Sequence, residues 1–87
     1  RRMGDYDRAL EYYLKALAIS EKCLGTEHLS TAVSYNNIGV FYANRGDFSK
    51  ALEYLEKALK IFEEKLGTEH PNTKQTKQDV DYVKSNL

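Results

Sequence analysis

His28 and His70, each preceded by a glutamate (Glu27, Glu69), are the side chains of this 87-residue chain whose types best suit a metal ion. They stand 42 residues apart in two copies of one motif, LGTEH at Leu24–His28 and again at Leu66–His70. That separation places them in successive loops and predicts local hydrogen bonding in place of a shared metal. Cys23 is the only thiol. It occupies the register of Lys65 in the second copy, beside a charged face, which is no setting for a nucleophile. No serine, cysteine and histidine stand where a strand-to-helix turn would present them, no glycine-rich phosphate loop follows a strand, and paired carboxylates belong to helix faces. The sequence therefore predicts no catalysis, no metal and no cofactor. Seven tyrosines raise base stacking as a further chemistry. Tyr6, Tyr12, Tyr13, Tyr35, Tyr42 and Tyr54 fall on apolar helical stripes and are expected in interhelix contacts, and Tyr82 alone is expected to face outward.

The elements that carry these residues follow from the repeat. GDYDRALEYYLKAL at residue 4 returns as GDFSKALEYLEKAL at residue 46, and 18 of the 42 aligned positions are identical, 17 of them between Gly4 and Thr31. A period of this length marks like supersecondary units stacked side by side. Apolar residues at helical spacing predict a first helix over 6–24 with Asp5 as its N-cap, and a third over 48–66 with Asp47 in that place. Ala9, Ala16, Ala51 and Ala58 leave room for close neighbours. A thinner stripe of Tyr12 with Ile19, and Tyr54 with Ile61, predicts that each of these helices touches two others. Gly25 and Gly67 end the two helices, and Ser30 and Asn72 are the expected N-caps of the helices after them, with Pro71 just ahead of the second. The second helix, 31–45, packs through Tyr35, Ile38, Gly39 and Tyr42. The fourth, 73–86, has a weak inner stripe of Thr73, Thr76, Val80, Val83 and Leu87, with Gln75, Gln78 and Tyr82 facing away. Short loops force neighbours to run antiparallel. The fold class is all-α, with about four helices in antiparallel pairs.

The residues Tyr35, Ile38, Gly39, Tyr42, Gly46, Ala51, Leu55 and Ala58 resemble the tetratricopeptide repeat pattern of aromatic, aliphatic and small positions across two helices. The longer unit and the string YNNIGVFYANRGDFSKALEYLEKALKIFEEKLGTEHPNT look like the extended 42-residue subclass found in kinesin light chains. The resemblance covers the chain, with 4–45 as a unit opening at its second helix and 46–87 as a unit closing in a polar capping helix. It implies a right-handed superhelix, an α-α solenoid whose concave groove holds a peptide or a partner helix. The groove positions it implies are Val33, Asn36, Asn37, Val40 and Asn44, which the helical wheel also sets apart as a mixed polar face, together with Gln78 and Tyr82 of the last helix. Asparagine amides both donate and accept, as a peptide backbone requires. A clamp for a terminal carboxylate has no match, since Arg45 lies at the helix end.

Thirteen basic and thirteen acidic residues balance, which argues against nucleic acid or an anionic membrane as partner. A single cysteine and the lack of a signal or membrane-spanning segment predict a cytoplasmic, reducing setting. The chain reads as a piece of a longer array that binds a protein or peptide partner. The alternative is an architectural or self-association segment: a homodimer through the uncovered face of the first helix, expected at Tyr6, Tyr13 and Leu17.

Overall fold

The computed structural model describes residues 3–87, with side chains from residue 6 onward. Four helices follow in order: α1 (Met3–Leu24), α2 (Leu29–Asn44), α3 (Phe48–Leu66) and α4 (Pro71–Ser85), with no strand among the described residues. Connections of three or four residues fold each helix back on the one before it. The smallest dimension, 18 Å, is the thickness of two helix layers. α2 approaches α4 across the repeat, whereas the α1 and α3 backbones stay apart.

α3 spans the predicted residues, and Asp47 accepts from the Lys50 amide at 3.4 Å. α1 begins earlier than predicted, which puts Asp5 inside the helix; its side chain lies outside the described residues. Gly25 and Gly67 end α1 and α3 at φ of 92° and 85°, a region L side chains rarely adopt. The caps of α2 and α4 differ from expectation. His28 Nδ1 accepts from the Ser30 amide at 3.0 Å and His70 Nδ1 from the Asn72 amide at 3.1 Å, so the histidines are the N-caps. Ser30 and Asn72 supply the donors instead. Pro71 fits the first turn of α4, where its missing N–H leaves no bond unmade.

One core joins α1 to α2 and α3 through Leu17, Ala32, Tyr35, Ile38, Ala58, Ile61 and Phe62, and a second joins α3 to α4 through Ala51, Leu55, Val80 and Val83. Ala51 and Ala58 are fully buried, as a stack of close-packed helices requires. Gly39 is buried against Ala51 and Leu55, and its missing side chain sets the α2–α3 approach. Between the cores, Tyr42 and Tyr54 stack at 5.9 Å. Lys57 lies over the rings of Tyr35 and Tyr54, and Lys50 over Tyr42. Glu11 and Lys15, Glu53 and Lys57, and Glu56 and Lys60, each four residues apart on a helix, do not close into ion pairs, and Lys57 lies over aromatic rings instead.

Three expectations are corrected. Tyr12 is 71% and Ile19 63% exposed, so the thin stripe finds its second neighbour only on α3. Tyr6 and Tyr13 turn their edges to Phe41, and Leu17 is 7% exposed in the core, so the face expected to be uncovered is the one α2 covers. Leu87 lies beyond the end of α4 and is exposed, without a place on the inner stripe.

Candidate interaction cleft

α2 forms the floor of an open cleft of about 750 Å³, with Asn36, Asn37, Val40 and Asn44 along one side of the helix and Phe41 beneath. α1 supplies one wall from Tyr6, Ala9 and Tyr13; α4 supplies the other from Gln75 and Asp79. A smaller hollow continues from it toward the start of α4, lined by Val33, Asn36, Phe62, Asn72, Gln75 and Thr76. The spacing of Asn36, Val40 and Asn44, one helical turn apart each time, is why a single helix presents them in a row.

Of the five residues expected on α2, Asn36, Asn37, Val40 and Asn44 line the larger hollow and Val33 lines the smaller one, which shares Asn36 and Gln75 with it. Gln78 and Tyr82 line neither. Tyr82 is 58% exposed and packs edge-on against Phe48, and Gln78 is exposed on α4 outside both hollows. In the 42-residue register they correspond to Asn36 and Val40, so they lie one unit farther along the stack. The α4 residues that do reach the cleft, Gln75 and Asp79, correspond to Val33 and Asn37. Sequence reasoning had turned Gln75 away and passed over Asp79. The α1 wall was missed because Tyr6 and Tyr13 read only as packing residues.

Polar groups in the trough hold one another in place. The Thr76 hydroxyl, buried on α4, donates to Asn36 Oδ1 at 3.4 Å and ties α4 to the cleft floor. Gln75 Nε2 donates to Asp79 Oδ1 at 3.2 Å. Burial pushes the Asp79 carboxyl up from the usual carboxylate range, and the bond from Gln75 opposes that rise. At the far end Arg45 stacks on Tyr6 at 5.2 Å and Phe41 at 5.8 Å and pairs with Asp7 at 3.9 Å, bracing α1 against the end of α2. Amides, one carboxylate and aromatic edges make a surface for hydrogen bonding and apolar contact. Among the described residues no group of three or more His, Cys, Asp or Glu side chains gathers to hold a metal ion. His28 and His70 spend their Nδ1 lone pairs on helix caps. No described helix is long and apolar enough to cross a membrane.

The family model of the tetratricopeptide repeat matches residues 1–64 and, in a second alignment, residues 30–80. No curated protein sequence matches the chain significantly.

Proposed function

The chain belongs to the tetratricopeptide repeat family, whose domains generally mediate protein–protein interaction and are generally non-enzymatic; from this and the cleft we propose that it is an interaction module that binds a peptide segment of a partner protein and performs no chemistry. The observation that carries the reading is the row of Asn36, Asn37, Val40 and Asn44 along the cleft floor, between an aromatic wall and Gln75. The eight-residue step from Asn36 to Asn44 is about 12 Å of helix, the length of about four extended residues. Asparagine amides at that pitch suit a backbone that offers donors and acceptors alternately. So short a footprint supports weak binding, strengthened when further units extend the trough.

The 42-residue period and the Thr-Glu-His loops favour the extended, kinesin-light-chain-like subclass. Residues 4–45 and 46–87 then act as the two units, with α4 as the polar closing helix in a cytoplasmic protein. Balanced charge favours a protein partner over nucleic acid or an anionic membrane. Amide spectra of the labelled chain, titrated with extended synthetic peptides of varied charge, test the cleft. Saturable shifts at Asn36, Asn37 and Val40, lost in Asn37→Ala/Asn44→Ala, are expected; shifts confined to α3 would reject it.

A further inference from the structure

Asp79 on α4 is the one charged side chain among the described residues that line the cleft and the hollow continuing from it. α2, which forms the floor, contains no charged residue at all. Among the described residues only Gln75 donates to the Asp79 carboxylate, at 3.2 Å, and the ion pairs run elsewhere, from Arg45 to Asp7 and from Lys74 to Glu69. Its own helix offers no neutralising neighbour. Gln75, Thr76, Tyr82 and Val83 occupy the positions three and four residues away, and all are uncharged. Asp81, the other aspartate of α4, is exposed and stands four residues from Lys77 and three from Lys84. Burial pushes the Asp79 carboxyl up, as expected of a half-buried charge that has lost hydration without gaining a cation. In the 42-residue register Asp79 stands where α2 has Asn37, so successive units offer the cleft an amide and a near-isosteric carboxylate.

Given that the cleft is a peptide site, as proposed above, we infer that Asp79 sets its specificity: the segment it takes carries a lysine or arginine held against this carboxylate, among uncharged residues that lie along Asn36, Asn37 and Val40. Charge complementarity selects this occupant. A basic side chain brings donors to the oxygen lone pairs that Gln75 leaves free, and it cancels a charge that no described cation cancels. An acidic segment would set like charges together in a partly dehydrated cleft, where water screens them poorly. A divalent cation is the weaker match, because it calls for several oxygen ligands and no group of three or more His, Cys, Asp or Glu gathers among the described residues. Only α2 and α4 take part, so what packs against α1 does not alter the pairing.

The labelled full chain is titrated with synthetic peptides of alternating serine and valine that differ at one central residue: arginine, glutamine or glutamate. Saturable amide shifts at Asn37, Gln75 and Asp79 are expected. The arginine peptide should bind about fivefold more tightly than the glutamine peptide, the reach of a partly exposed ion pair, and the glutamate peptide should bind most weakly. Asp79→Asn should bring the arginine and glutamine affinities together. Asp81→Asn removes the same charge from the same helix outside the cleft, and the ratio should persist there. Equal affinities of the arginine and glutamine peptides for the parent chain overturn this assignment, as does a ratio that survives Asp79→Asn or is lost equally in Asp81→Asn. Saturable shifts at Asn36, Asn37 and Val40 would in each of those cases still uphold the cleft. No saturable shift with any peptide would overturn the cleft reading and this assignment with it. The parent chain's ranking of the peptides needs no substitution, so a variant that fails to fold leaves the test intact.

Discussion

The Tyr35 hydroxyl donates to Glu21 Oε2 on α1 at 2.8 Å while its ring lies 6.2 Å from that of Tyr54 on α3, so one side chain links three helices. Burial, the bond to Glu21 and the charge of Glu21 together push its pKa up from 10.0 to about 12. The folded state holds this proton more tightly than the unfolded chain does. The stability it contributes is therefore complete below pH 10 and is lost as pH rises toward 12. Tyr35→Phe should cost about 1 kcal/mol at neutral pH, the worth of one partly buried hydrogen bond. In chemical denaturation at a series of pH values, the gap between parent and variant should narrow across that alkaline window. A constant gap would show that the hydroxyl bond does not govern it.

At the scale of the helix, α2 is set by a glycine that helix propensity alone disfavours. A Cβ built on Gly39 would stand 2.6 Å from Leu55 Cγ and 3.2 Å from the Ala51 carbonyl oxygen. Gly39→Ala gains about 1 kcal/mol of helix propensity, but overpacking at such distances costs about 1–3 kcal/mol. Net destabilisation is expected. The penalty should shrink in a Leu55→Ala background, and a double-mutant cycle measures that coupling. Strict additivity of the two changes would mean that the helices do not meet at this point. The same element shows where local signals mislead: Ser30 and Asn72 are conventional N-caps, yet His28 and His70 take the position because each helix starts two residues earlier.

For the whole molecule, stability depends on the core shared between successive units, as in other stacked arrays. Leu17 belongs to that core and Ile19, two residues on, does not. Leu17→Ala should cost about 2–5 kcal/mol, and Ile19→Ala should stay within about 0.5 kcal/mol. Thermal melts of the two variants check this contrast. Equal effects would mean that α1 is rotated about its axis relative to the packing described here.

Periodicity alone was enough to set out four helices, their antiparallel order, the glycine stops after α1 and α3, and the face of α2 that floors the cleft. Each of these is local: a helix's own spacing of apolar and polar residues decides which side it can bury. The α1 and α4 walls of the cleft were not legible, because Tyr6, Tyr13 and Asp79 reach the trough only through the way neighbouring helices lie. Tyr12 and Ile19 make the same point most directly. They are identical in type and register to Tyr54 and Ile61, yet one pair is open and the other is packed under α2. Burial depends on what stands opposite a residue, and only the tertiary structure decides that.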